Sequence, residues 1–235
     1  MASAYEIDLH NHMPLFAGDY RGPMDTTGDD VVAAAREAGV HVLAVTDHFS
    51  IDFYEHVAAA AADVDDLLVL PGAEIRLAWE GDEVHLVALF PPDSAERRFA
   101  ALMQVLGFEP MGRSALQSVV IEHDPVDAAH AISALGGICT VAHVDRTFGD
   151  YRLLGRPALT RLLDTAPIAA VEFIDATRAH ELGELRRGRS CIQSSDSHHA
   201  REIGRRRSVV ELGELSFAGL RDALMSGCVL APAAV

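Results

Sequence analysis

Short apolar runs alternate along this chain with stretches whose apolar positions recur every three to four residues. The runs at 5–10, 41–46, 67–70 leading into 73–77, 84–90, 137–142, 169–174 and 190–194 read as strands. The periodic stretches at 29–38, 53–62, 94–105, 114–121, 126–135, 157–163 and 217–225 read as helices. Gly39, Gly136 and Gly227 fall just past three of these helices, and Asp29 and Ser216 stand where N-caps belong. Strands apolar on both faces, alternating with helices, predict a parallel α/β sheet or barrel. No repeat, low-complexity segment or Pro/Gly-rich linker interrupts the alternation, so the expectation is one domain over residues 1–235.

Composition narrows the function classes. Hydrophobic residues make up 49% of the 235 residues and charged residues 23%, which excludes a disordered chain. Thirty-five acids against 19 bases give a formal charge of −16, the wrong sign for a broad DNA-tracking surface or an anionic membrane. All the basic residues are arginine, and without lysine neither Schiff-base chemistry nor a P-loop is available. Cys139, Cys191 and Cys228 are far apart and form no CxxC; Cys139 and Cys191 read as core thiols. With neither a leader-like N-terminus nor a long apolar span, a cytoplasmic location is expected.

The remaining oddity is 12 histidines. Several stand, with acids, where predicted strands end: Asp8-Leu9-His10-Asn11-His12, Thr46-Asp47-His48, Glu74, His143, and Asp196 with His198, while His85 opens the fourth strand. Taken singly, each would read as a core histidine or a capping acid. Their recurrence differs, because stability gives no reason to bury so many titratable groups at one end of a sheet, and metal coordination does. In a parallel barrel the C-terminal strand ends share one face, and residues i and i+2 of an extended segment, such as His10 and His12, can grip one ion.

Six segments in order carry a resemblance: DLHNH (8–12), AREAGVHVLAVTDH (35–48), LPGAE (70–74), VHLVALF (84–90), ALGGICTVAH (134–143) and SSDSHHAREIG (194–204). From Asp8 to about Leu230 the chain resembles the polymerase and histidinol phosphatase (PHP) family. That resemblance implies a distorted (β/α)7 barrel whose C-terminal face holds two or three divalent metals, Mn, Fe or Zn, and hydrolyses phosphate esters. It implies nine metal ligands: His10, His12, Asp19, His48, Glu74, His85, His143, Asp196 and His198, with Asp25 an alternative to Asp19. Val144 replaces the proline usual after the family's next-to-last histidine.

By the same resemblance, His10, His12, Glu74 and Asp196 take the first metal, and Glu74 bridges to a second held by His85 and His143. Asp19, His48 and His198 take the third. Glu74, Asp196 and His198 are the expected catalytic residues, around a metal-bound hydroxide that attacks phosphorus in line. Asp47 is expected to orient a ligand imidazole. Arg146, Arg21 and His199 are expected substrate contacts, since an arginine fork matches phosphate. Arg205-Arg206-Arg207, the only basic cluster, reads as a solvated or acid-paired turn. The expected partner is a small phosphorylated metabolite or nucleotide, with no long nucleic acid and no membrane; oligomeric state stays open. A nuclease or phosphodiesterase acting on nucleic-acid ends is the alternative enzyme, and a non-catalytic PHP scaffold the alternative outside enzymes.

Overall fold

Alternation along β2 (Val42–Val45) sets the layers of the molecule. Val42 and Ala44 join an interior apolar cluster with Leu70, Val87, Leu89, Ile138 and Ile192, whereas Leu43 and Val45 pack outward against Val31, Ala35 and Val57. The computed structural model describes residues 2–15, 19–109, 112–116, 118–146, 153–186 and 188–227. Cys228 and the end of the resemblance near Leu230 lie outside the described residues.

Eight further strands complete the sheet: β1 (Ser3–Asp8), β3 (Leu68–Trp79), β4 (Asp82–Leu89), β5 (Ile121–Glu122), β6 (Ile138–Val141), β7 (Ala170–Glu172), β8 (Ser190–Ile192) and β9 (Ser208–Leu212). Their order is β8-β7-β6-β4-β3-β2-β1-β9, with β5 beside β3, giving a nearly closed, barrel-shaped sheet of the expected distorted kind. No ladder joins β8 to β9 among the described residues; instead the Ser208 hydroxyl accepts the Gln193 N–H at 2.8 Å and donates to the Gln193 carbonyl at 3.1 Å.

Helices α1 (Gly28–Glu37) and α2 (Tyr54–Ala60) cover one outer face. Helices α3 (Ala95–Val105), α5 (Pro125–Ala134) and α6 (Pro157–Thr165) cover another, while α4 (Arg113–Leu116) is a single short turn. Helix α7 (Phe217–Met225) packs Phe217, Leu220 and Leu224 on the interior cluster, where each buried apolar side chain contributes about 1.5–3 kcal/mol. The Leu224 carbonyl accepts the Ser190 hydroxyl at the start of β8, so α7 sits at the end opposite the strand C-termini. Among the described residues no helix is long and apolar enough to cross a membrane.

Three features depart from the sequence expectation. The sheet is not wholly parallel: β3 and β4 form an antiparallel hairpin, β4 also runs antiparallel to β6, and β9 runs antiparallel to β1. The hairpin turns at Glu80 and Gly81, both at positive φ (54° and 85°), the geometry a two-residue hairpin turn needs. The predicted helix at 114–121 gives way to α4 and the short strand β5, and β9 forms where the sequence reading assigned no element.

Candidate metal centre and its cleft

Asn11 and Asp8 fix the stretch that carries His10 and His12. The Asn11 amide donates to the Asp8 and Ala44 carbonyls, both at 3.2 Å, and its oxygen accepts the Ser195 and Ser197 hydroxyls at 2.8 and 2.7 Å. The Asp8 carboxylate accepts the Ser195 and Gly204 N–H groups at 2.9 and 2.8 Å. The ends of β1 and β2 are thereby tied to the 194–204 loop, which brings Asp196 and His198.

Glu74 arrives differently. It lies mid-strand in β3, paired with Val87 on one side and bridged to His48 on the other. His85 lies in the first half of β4, not at a C-terminal strand end. Because β4 runs backwards, its N-terminal half reaches the face where the parallel strands end. Gly72, two residues before Glu74, allows this closeness, since a Cβ there would meet the Ala88 carbonyl oxygen at 2.7 Å.

All nine donors named above converge. Oε2 of Glu74 lies 3.4 Å from His10 Nε2, 3.3 Å from His12 Nε2 and 3.2 Å from His48 Nδ1. Its Oε1 faces His85 Nδ1 at 2.7 Å and His143 Nε2 at 3.2 Å. Asp196 Oδ1 is 3.8, 3.5 and 3.8 Å from His10, His12 and His198. Asp19 stands 3.3 Å from His12 Nδ1, 3.1 Å from His198 Nε2 and 3.9 Å from His48 Nε2. Asp25, the other candidate for the ninth place, is exposed and belongs to none of the donor groups.

The donor set fits divalent ions. His10 Nε2, both nitrogens of His12, His48 Nδ1, Asp19 Oδ2 and Asp196 Oδ1 are buried and make no hydrogen bond, an arrangement costly in a metal-free protein. Imidazole and carboxylate together suit Mn, Fe or Zn. Burial alone would raise the Glu74 carboxyl, but the imidazoles of His48, His10 and His85 outweigh it and hold it well below the usual carboxylate range. Burial pushes the His48 imidazolium down to about 3. Two donors also sit on strained backbone: His143 at φ 25° and Asp196 at φ 49°, a region L residues avoid.

The expected substrate contacts separate. Arg146 is half-buried, faces the cluster and donates to Asp196 Oδ2 at 2.9 Å. Arg21 is exposed at the rim, its N–H on the His198 carbonyl at 2.6 Å. His199 turns away: it packs against Tyr20, accepts the Arg201 N–H and does not line the cleft. Among the described residues Asp47 hydrogen-bonds no imidazole and instead accepts the Met13 N–H at 2.8 Å.

The triple-arginine turn is acid-paired, Arg205 with Glu202 and Arg207 with Glu6, and does more. Arg205 and Arg206 donate to the carbonyls of Ser194, Ser195 and Asp196, so this cluster braces the loop behind Asp196. Sequence reading missed Glu172, a buried acid ending β7, within 3.3 Å of His10 Nδ1. The available signal was an acid inside an otherwise apolar strand. It also missed the pairing of Arg76 and His85 with Glu83, both at 2.7 Å.

A cleft of about 880 Å³ opens over the cluster and runs along the β3–β4 hairpin. His12, Asp19, His48, Glu74, His85, Asp196 and His198 form its floor, Arg21, Arg76, Arg146 and Arg156 supply cations, and Trp79 and Val120 supply apolar wall.

No family model matches the sequence. Over 116 residues, 49% of this chain, it is 33% identical to the PolC-type DNA polymerase III of Lacticaseibacillus paracasei, 7% of whose length is covered. In fold it is similar to the lesion-specific endonuclease Q of Pyrococcus furiosus (TM-score 0.73, 14% identity, 98% of this chain, 58% of that one). The same holds for endonuclease Q in complex with a 27-mer duplex carrying an abasic lesion at the active site (TM-score 0.73, 16% identity, 94% of this chain, 56% of that one). A Bifidobacterium adolescentis protein assigned as a metal-dependent phosphoesterase matches end to end (TM-score 0.65, 17% identity, 97% and 98%). The chain thus spans a little over half of endonuclease Q and a small part of the polymerase.

These similarities bear out the resemblance to the PHP family and the distorted-barrel fold. They overturn the expectation of a small phosphorylated partner and no long nucleic acid, because a protein of this fold takes a DNA duplex at its active site. The charge of −16 misled because it sums the whole chain, whereas a phosphate meets individual groups, here four arginines set among the acids that line the same cleft.

Proposed function

We propose that this chain hydrolyses phosphodiester bonds of nucleic acid, using two or three divalent ions held by His10, His12, Asp19, His48, Glu74, His85, His143, Asp196 and His198. The observation that carries this reading is the Glu74 carboxylate, buried and divided between two sets of imidazoles, one on each oxygen. Bound there, divalent ions would supply Lewis acidity and an acidified water for in-line attack at phosphorus.

The chain's own residues do the remaining work. Glu74 sets the spacing between donor groups, and Asp196 with Asp19 balances the charge gathered on the floor. Arg146 and Arg21 border the cleft beside the donor cluster, and their planar forks suit two parallel hydrogen bonds to a phosphate. Arg76 and Arg156 lie further along the cleft, where neighbouring phosphates of a strand would pass. The likeness to endonuclease Q with its bound duplex favours a nucleic-acid strand over a free phosphomonoester. That all nine donors converge counts against the non-catalytic scaffold.

The test presents Mn²⁺-loaded protein with a single-stranded oligonucleotide, a duplex and the same duplex carrying an abasic site, beside a panel of phosphomonoesters. Oligonucleotide cleavage that chelation abolishes is the expected result. Turnover of monoesters with every oligonucleotide intact would overturn the nucleic-acid reading.

A further inference from the structure

Glu172 ends β7, between β6 and β8, and is 2% exposed. It does not line the cleft, so it meets no substrate. Its Oε1 and Oε2 lie 3.2 and 3.3 Å from Nδ1 of His10, and Oε1 also accepts the backbone N–H of His143 at 3.2 Å. Its own carbonyl accepts the Val144 N–H at 3.0 Å. One buried carboxylate therefore grips two histidines that reach the cluster from different strands, one by its ring and one by its backbone.

The ring contact has a chemical consequence. A carboxylate can only accept, so the pairing is favourable when His10 carries its hydrogen on Nδ1. In the neutral ring, the form that binds an ion, the lone pair is then on Nε2, the atom that faces Glu74 Oε2 at 3.4 Å and Asp196 Oδ1 at 3.8 Å. The backbone contact acts on geometry. His143 sits at φ 25°, which L residues avoid, and its N–H is held by Glu172 while the N–H of the next residue is held by the Glu172 carbonyl. The two sides of Glu172 thus brace the strained step that turns the His143 ring toward Glu74.

We infer that Glu172 is a positioning residue that sets the His10 tautomer and the His143 backbone, so that both rings present a lone pair to ions beside Glu74. This rests on the metal-binding reading given above. Partners of this kind, one shell outside the ligands, typically change metal affinity by about 10–100-fold.

The experiment titrates Zn²⁺ alone, a diamagnetic probe, into wild type, Glu172→Ala and Glu172→Gln. Affinity is read by calorimetry, the His10 tautomer by ¹⁵N imidazole resonances assigned through a His10 variant, and the fold by circular dichroism. Wild type is expected to show Nδ1 protonated and Nε2 metal-bound. Glu172→Ala should keep the fold, weaken zinc binding by about 10–100-fold and lose the fixed tautomer. Glu172→Gln, whose amide oxygen can still accept from Nδ1–H, should fall between; if the alanine variant does not fold, the glutamine variant decides by the same two readouts. Zinc affinity within twofold of wild type and an unchanged tautomer in a folded variant would overturn the role of Glu172 alone. Failure of wild type to bind zinc would overturn the metal reading, and this proposal with it.

Discussion

Arg146 donates to one oxygen of Asp196 at 2.9 Å while the other oxygen of that carboxylate faces three imidazoles. The guanidinium is therefore held one carboxylate away from the donor cluster, on the lining of the cleft. A charge-assisted hydrogen bond to phosphate contributes about 1.5–3 kcal/mol, so Arg146→Ala should lower kcat/KM by about 10–150-fold. Arg146→Lys should recover part of this, since a point charge cannot reproduce two parallel bonds. Metal stoichiometry should hold. A parallel fall in bound metal and rate would mean that Arg146 serves Asp196 and not the substrate.

Glu74→Gln tests the centre of the cluster. Two oxygens serving five imidazoles cannot be replaced by one amide oxygen and one NH₂ without turning a donor toward histidine nitrogens. Hydrolysis should be abolished with near-wild-type circular dichroism. A variant keeping more than a tenth of the rate, within ~1.4 kcal/mol of wild type, would remove Glu74 from the bridging role.

Metal content and metal uptake make a third test. Nine donors exceed what one tetrahedral ion uses, so elemental analysis should find two to three divalent ions per chain. In the metal-free chain, burial alone would pull the His10 imidazolium down, but the carboxylates of Glu172 and Glu74 outweigh it and push it up to about 10. A protonated His10 must lose its proton to become a ligand, so affinity should rise with pH from about 6 to about 8. At pH 7 the binding enthalpy should depend on the ionisation enthalpy of the buffer; a buffer-independent enthalpy would refute proton release.

A fourth prediction separates stability from the site. At α1 the Thr27 hydroxyl accepts the Asp30 N–H at 3.2 Å, and the Asp30 carboxylate accepts the Thr27 N–H at 2.8 Å, a reciprocal cap. Thr27→Ala should cost about 1 kcal/mol, roughly 2–4 °C in Tm for a chain of this size, with kcat/KM unchanged. These hydrogen bonds hold the Asp30 carboxyl below its ordinary value. Its contribution is therefore present above the unfolded value near 4 and is lost as pH falls through the lower folded one, a dependence absent from Asp30→Ala. Thermal melts across that range check the sign.

The sequence showed the chemistry more fully than the topology. His10, His48, Glu74 and His143 stood out because they come at or near the ends of apolar runs, whereas Asp19, His85 and His198 were carried by the resemblance to the PHP family. Asp19, preferred to Asp25 by the resemblance, is set apart in the structure by its 3.1 Å approach to His198, a contact between distant segments. The antiparallel hairpin was legible in principle, since Glu80-Gly81 between two apolar runs is a turn signal, but strand–helix alternation elsewhere pulled the reading toward a parallel sheet. Glu172 stayed hidden because its partners are 29 and 162 positions away in the chain. The acid pairing expected of the arginine turn holds for Arg205 with Glu202 and Arg207 with Glu6, but the backbone carbonyls that Arg205 and Arg206 also grip leave no mark in a sequence.

The clamps formed by Asp8 and Asn11 also bear on timing. Their partners Ser195, Ser197 and Gly204 lie 184 to 196 positions further along the chain. Contacts of such separation form late, because a long loop must close before they repay its entropy. A growing polypeptide would expose His10, His12, His48 and Glu74 long before Asp196 and His198 exist to complete the set. On this ordering the docking of the 194–204 loop is the step that finishes the cluster, and the unfinished chain passes through synthesis without an assembled centre.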